Sequence, residues 1–271
     1  MDSTNAHVTV WDVATQSSLA SFPSREAVVT LKGREIVLVR DDALVFVDGT
    51  SFREAGTLKC GIASRLVVSS DGRTLAAERR RNESTDLILV DLSQRRESRI
   101  LHTRPSASGP IAFVRDNQRL ICGGLGRSTI DLLDLQDGRI LASYPDTPEN
   151  MHAFALSHDG QTLAIAGDGG KVRLLNAETL TEDSSLLGDK GLIRSLAFSP
   201  DDRTLAVGCF DAPIQLWNVA TRTEVTSLLG HASYVDGLSF SPDGSILAST
   251  SADNSVRLWA APGLAQNRKD P

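Results

Sequence analysis

Thiols, aromatics and long apolar runs are all scarce in this chain of 271 residues. It carries 3 cysteines, 2 methionines, 2 tyrosines and 3 tryptophans, and aromatic residues make up only 5% of it. Cys60, Cys122 and Cys209 lie far apart, with no Cys-x-x-Cys and no paired histidines beside them. Zinc sites draw on ligands at short, clustered spacings, so no structural metal is expected. A sparse, odd set of thiols excludes a disulfide scaffold and fits a reducing compartment, which makes the cytoplasm the expected location. The longest apolar runs, such as Ile36-Val37-Leu38-Val39, have strand length, far below the roughly 20 residues of a membrane helix. The opening Met1-Asp2-Ser3-Thr4-Asn5 is polar and lacks the basic and apolar regions of a signal peptide. No membrane association is expected.

Neither sign of charge dominates. Lys+Arg number 28 and Asp+Glu 34, for a net charge of -6, with 41% hydrophobic and 23% charged residues. That is the composition of a globular protein. A mildly acidic chain does not suit sequence-independent binding to a polyanion, which argues against nucleic acid as the partner.

What is abundant is repetition. Ser69-Ser70-Asp71-Gly72-Arg73-Thr74-Leu75-Ala76 returns as Ser157-His158-Asp159-Gly160-Gln161-Thr162-Leu163-Ala164. It comes back again as Ser199-Pro200-Asp201-Asp202-Arg203-Thr204-Leu205-Ala206 and as Ser241-Pro242-Asp243-Gly244-Ser245-Ile246-Leu247-Ala248. A worn copy runs from Val114 through Asp116 to Ile121, and the marker aspartates are spaced by 45, 43, 42 and 42 residues. A sustained period of this length marks a repeat architecture.

Each copy contains an alternating segment such as Ser195-Leu196-Ala197-Phe198-Ser199, then a tight turn, then a second strand such as Leu247-Ala248-Ser249-Thr250-Ser251. In the turn, proline presets φ, aspartate bonds its own backbone and glycine accepts positive φ. A third strand (Val256-Arg257-Leu258-Trp259) and a fourth (Val225-Thr226-Ser227-Leu228-Leu229) complete the pattern. Four short strands per period with no helical periodicity predict an all-β chain of propeller blades.

These residues carry a resemblance to the WD40-repeat family. Gly230-His231, Ser241-Pro242-Asp243-Gly244, Leu247-Ala248-Ser249 and Asp253-x-x-Val256-x-Leu258-Trp259 are similar to one full repeat. Pro213-Ile214-Gln215-Leu216-Trp217-Asn218 and Val8-Thr9-Val10-Trp11-Asp12 resemble its third strand. The resemblance is strongest from about Met151 onward and shades into the broader YVTN-like propellers towards the N-terminus. It implies one propeller domain over 1-260 with a polar tail at 261-271. The strand count is two (His7 to Phe22), then five groups of four, then three. That leaves either six blades with an N-terminal extension or an incomplete seven. Ser18 to Phe22 either completes the last blade or pairs with Val8 to Trp11 as half of a seventh.

The resemblance also implies a buried polar tetrad in the last blade: His231, Ser249, Asp253 and Trp259. The rival reading, a Ser-His-Asp hydrolase triad, lacks a Gly-x-Ser-x-Gly elbow around Ser249. The fifth blade keeps Asp211 and Trp217 but has Asp189 and Gly208 at the histidine and serine positions. In the fourth, Asp168 stays and Leu175 replaces the tryptophan. The glycine clusters Gly123-Gly124-Leu125-Gly126 and Gly167-Asp168-Gly169-Gly170 open no helix and read as hairpin turns rather than phosphate cradles. Arg79, Arg80 and Arg81, with Arg95, Arg96 and Arg99, read as a solvated hairpin tip, with a docking patch for an acidic partner as the alternative.

The loops that lead into first strands, and the turns after second strands, share one face of a propeller and vary without disturbing the core. WD40 relatives bind proteins or peptides through this face. Aligned blades place Asn150, His152, Arg194, Tyr234 and Asp236 at the strand starts and Phe210 in a turn. Tyrosine, arginine and exposed aromatics are frequent interface anchors. The expected function is a non-catalytic scaffold for a protein or peptide partner, with no catalytic residue, no metal and no cofactor. The alternative is a propeller enzyme, lactonase-like or a metal-dependent hydrolase, with its site in the central channel. Ser64, Gly109, His152, Arg194 and Asp236 are a mixed set for such a site, and an arginine among them does not suit a cation cage.

Overall fold

Short alternating segments separated by turn residues leave each strand with two distinct faces, and that pattern decides how the chain packs. The computed structural model describes residues 6–260 apart from 31–32, 62, 83, 106–109, 124–128, 146, 148–150, 188–190 and 211–212. Gly109, Gly124, Gly126, Asn150, Asp189, Asp211 and the tail at 261–271 therefore lie outside the described residues.

Among the described residues, twenty-five strands form seven antiparallel sheets. β1 (His7–Asp12) and β2 (Ser17–Pro23) make a two-stranded sheet. The first blade is β3 (Ala27–Val29), β4 (Glu35–Arg40), β5 (Ala43–Asp48) and β6 (Glu54–Lys59). The second is β7 (Ala63–Val68), β8 (Thr74–Arg80), β9 (Ser84–Asp91) and β10 (Arg96–Pro105). The third is β11 (Ile111–Phe113), β12 (Arg119–Gly123), β13 (Ile130–Asp134) and β14 (Ile140–Tyr144). The fourth is β15 (Ala153–Leu156), β16 (Thr162–Ala166), β17 (Lys171–Asn176) and β18 (Glu182–Leu187). The fifth is β19 (Ile193–Phe198), β20 (Thr204–Cys209), β21 (Ile214–Asn218) and β22 (Thr223–Leu228). The last has three strands, β23 (Val235–Phe240), β24 (Ile246–Ser251) and β25 (Val256–Ala260).

The fold is all-β, with blades of the propeller type, and the described residues contain no α-helix and no helix able to cross a membrane. Ser18 to Phe22 pairs with β1, so it does not supply an outer strand to the last blade.

The chain divides into two compact units, residues 1–127 with 131–141, and residues 128–130 with 142–271. In the first unit, β4 shows the packing rule. Ile36 and Leu38 face Phe22, Val8 and Val10 of the N-terminal sheet, whereas Val37 and Val39 face Leu75, Ala77 and Ile88 of the second blade. In the second unit, Leu205 and Val207 of β20 face Ala164, Ala166 and Val172 of the fourth blade. Ala206 between them faces Val235 and Leu247 of the last blade. Middle strands buried on both faces read as unbroken apolar runs, and burying each large aliphatic side chain contributes about 1.5–3 kcal/mol.

The repeated phrase builds one turn four times. Ser69, Ser157, Ser199 and Ser241 donate through Oγ to Asp71, Asp159, Asp201 and Asp243, each at 2.6 Å. Those same serine oxygens accept the backbone N–H five residues on, at 2.9–3.0 Å. The residue after each aspartate has positive φ: Gly72 70°, Gly160 70°, Asp202 57° and Gly244 72°. Glycine meets that demand without steric cost.

Candidate functional site

Three first strands of the second unit carry equivalent residues at a spacing of 42: His152, Arg194 and Asp236. Arg194 is the extra residue of a β-bulge, since Ile193 pairs with Cys209 and Ser195 with Gly208. Asp236 is likewise passed over between Val235, opposite Ser251, and Gly237, opposite Thr250. A bulge leaves a residue unpaired in the ladder and re-aims its side chain. His152 lies one residue before β15, and its N–H bonds to the Ala166 carbonyl at 3.1 Å.

The three positions open into one pocket of about 210 Å³. His152, Arg194 and Asp236 line it together with Phe154, Leu196 and Leu238, which come two residues later in each strand. Gly237 also lines it, and a side chain there would press on Thr250 Oγ1 at 2.7 Å. Above Arg194 lies an aromatic stack. The Phe210 and Tyr234 rings are nearly parallel, 7° apart in plane with centroids at 5.1 Å, and the Arg194 guanidinium sits 4.6 Å from the Tyr234 centroid. Phe210 stays 39% exposed despite this contact. Arg194 Nε is buried and makes no hydrogen bond. Its nearest carboxylate, Asp236, is 3.7 Å away, and His152 Nε2 stands 3.6 Å from Asp168. Of the six residues read as a binding face, the structure thus gathers His152, Arg194, Phe210, Tyr234 and Asp236.

The last blade holds the polar tetrad in one chain of bonds. Trp259 Nε1 donates to Ser249 Oγ at 2.9 Å, Ser249 Oγ meets His231 Nε2 at 2.7 Å, and His231 Nδ1 meets Asp253 at 2.9 Å. With a neutral imidazole protonated at Nδ1, every donor in this chain finds an acceptor. Ser255 and the Ala232 N–H also donate to Asp253, and together with His231 they hold its carboxyl well below the usual carboxylate range. The Ser–His–Asp distances would suit a nucleophile, but Ser249 is fully buried and its oxygen already accepts from Trp259. A substrate carbonyl has no approach to it.

In the fifth blade the serine position falls on Val207 and not on Gly208, because Val207 lies opposite Leu196 and Gln215 as Ser249 lies opposite Leu238 and Arg257. Gly208, the next residue, is close-packed: a Cβ there would lie 2.2 Å from Ser195 Oγ, which itself donates to the Val235 carbonyl at 2.9 Å. Trp217 Nε1 turns instead to Gln215 at 3.4 Å. Leu175 fills the tryptophan position of the fourth blade in full burial. The glycines ahead of β17 form a tight turn, Gly169 and Gly170 both having positive φ.

The arginines of the second blade differ from a solvated tip. Arg79 spans Asp86 at 2.7 Å and Glu97 at 2.6 Å, and Asp86 is almost wholly buried. Arg81 Nε reaches the same Asp86 oxygen at 2.7 Å. Arg95 pairs with Glu35 at 2.8 Å and lies over the Phe46 ring. Arg99 donates to the Gln136 carbonyl. These cations are engaged within the fold: Asp86 of β9 and Glu97 of β10 hold Arg79 and Arg81, Glu35 of β4 holds Arg95, and a backbone carbonyl holds Arg99. Only Arg80 of the run is not ion-paired among these contacts. Among the described residues no group of His, Cys, Asp and Glu forms a metal cluster, and all three cysteines are buried and outside any disulfide.

Comparison with known families places two stretches. Residues 181–218 and 222–260 match the family described as WD40, WD domain, G-beta repeat. Each match starts just ahead of the fourth strand of one blade, β18 or β22, and closes with the third strand of the next. No curated protein matches the chain.

Proposed function

We propose, with the two C-terminal WD40 repeats as premise, that this chain is a non-catalytic scaffold whose second unit binds a protein or peptide partner. The supporting observation is the convergence of His152, Arg194 and Asp236 on one pocket beside the Phe210–Tyr234 stack. Two of these residues are delivered by bulges, which cost regular ladder pairing and serve the blade core nothing. Arginine and tyrosine, with an exposed phenylalanine, are the side chains that most often dominate interface energetics. The buried thiols, none of them in a disulfide, fit residence in the cytoplasm. Enclosure of Ser249 leaves its Ser–His–Asp chain a structural rather than a hydrolytic role.

Affinity capture from the native source tests this reading. Wild type and an Arg194/Phe210/Tyr234 triple-alanine variant are compared at matched folding. A partner retained by wild type and lost by the variant is expected. Identical captured sets, or none above the matrix control, would overturn the assignment of this face.

A further inference from the structure

Resting on that reading, we infer that the pocket recognises an acidic side chain within an extended peptide, and that an apolar neighbour of that acid lies on the Phe210–Tyr234 stack. Arg194 carries the inference. Its Nε is buried and donates to nothing among the described residues, and the carboxylate of Asp236 stands 3.7 Å off and half exposed. An enclosed donor without an acceptor is a free-energy cost that a ligand acceptor removes. The guanidinium is already held against Tyr234 at 4.6 Å, so little further ordering is needed when it binds. A carboxylate matches its planar fork through two parallel hydrogen bonds.

Size and charge narrow the ligand. About 210 Å³ admits a side chain rather than a whole small molecule, whose pockets run to roughly 300–1,000 Å³. Asp236 and Asp168 stand near Arg194 and His152, so a doubly charged phosphate meets more repulsion here than a single carboxylate does. The exposed ring of Phe210 supplies the apolar contact next to the charged one. Asp236 has a stated role in this scheme. It neutralises Arg194 when the pocket is empty and competes with the incoming acid.

A displayed library of random linear peptides, selected on the wild-type protein and on four variants, provides the test. Wild type should enrich Asp or Glu at a fixed spacing from an apolar residue. Arg194→Ala should weaken the selected peptides by about 10-fold or more, the loss expected of a charge-assisted contact. Asp236→Asn should bind them more tightly, and Arg194→Glu should shift selection towards Lys and Arg. Should Arg194→Glu not fold, Asp236→Asn still decides, because only competition with an acid predicts a gain. Peptides without acidic enrichment, or unaffected by Arg194→Ala but lost with Tyr234→Ala, would overturn this inference while leaving the binding face intact. Recovery of no peptide above the bare matrix would instead overturn both.

Discussion

Asp202 occupies the turn position that glycine fills in three of the other copies, and its carboxylate holds the backbone of His158 in the preceding blade. Oδ1 accepts the His158 N–H at 2.7 Å and Oδ2 accepts the Asp159 N–H at 2.8 Å. Asn117 does the same one pair of blades earlier, accepting the Ser70 N–H at 3.0 Å. Both residues have positive φ, 57° and 53°. Asn and Asp tolerate that conformation best among residues other than glycine.

Restoring the glycine should therefore destabilise the protein. Asp202→Gly removes a strained backbone, worth up to about 1 kcal/mol, but loses two hydrogen bonds to a charged acceptor at about 1.5–3 kcal/mol each. A net loss of about 2–5 kcal/mol is expected in urea unfolding. Asp202→Asn, which mimics Asn117, should lose less. A Gly variant as stable as wild type would show that the tie between the fourth and fifth blades contributes nothing.

The tetrad is expected to be structural and nothing more. His231→Ala leaves the Ser249 hydroxyl and the Asp253 carboxylate short of a partner, at a cost of about 1–3 kcal/mol. Binding through the Arg194 pocket should be unchanged at temperatures where the last blade is folded. Loss of binding at unchanged melting temperature would contradict this.

Repeat length, strand order and turn positions were legible in the sequence because each rests on local chemistry. Alternation, Ser-x-Asp-Gly turns and the tetrad residues repeat within a single blade. What escaped was contact between blades. Nothing in the spacing of Asp202 announced a bond to His158, and the bulges at Arg194 and Asp236 appear only once the register is known. The arginine run misled for a related reason. Its partners Asp86 and Glu97 sit on neighbouring strands, 7 and 18 residues from Arg79. The pairing of β2 with β1 was one of two open placements, since either edge offered the same alternating pattern.

Acid should unfold this protein through its turns. Ser241 Oγ, with the Ser245 N–H and hydroxyl, pulls the Asp243 carboxyl from 3.8 down to about 2. The Ser69 hydroxyl lowers Asp71, and Ser255 with the Ala232 N–H lowers Asp253. Carboxyls that are more acidic when folded add stability above their unfolded values, and this is lost as they protonate. Melting temperature should be flat above about pH 5 and fall steeply between about pH 4 and pH 2. Ser241→Ala should raise the Asp243 titration midpoint by NMR. A midpoint that stays at about 2 would show that the serine hydroxyl does not set it.

Gly208 and Ser195 form the last testable pair. They face each other across the β19–β20 ladder, and a Cβ on residue 208 would come within 2.2 Å of Ser195 Oγ and 3.0 Å of Val235 Cγ1. Gly208→Ser should therefore destabilise, by about 1–3 kcal/mol of overpacking. Adding Ser195→Ala to that variant removes the nearer clash but also the bond to the Val235 carbonyl, so recovery should be partial. Equilibrium unfolding of the two singles and the double gives the coupling directly. Strict additivity would mean that the two side chains do not compete for one space.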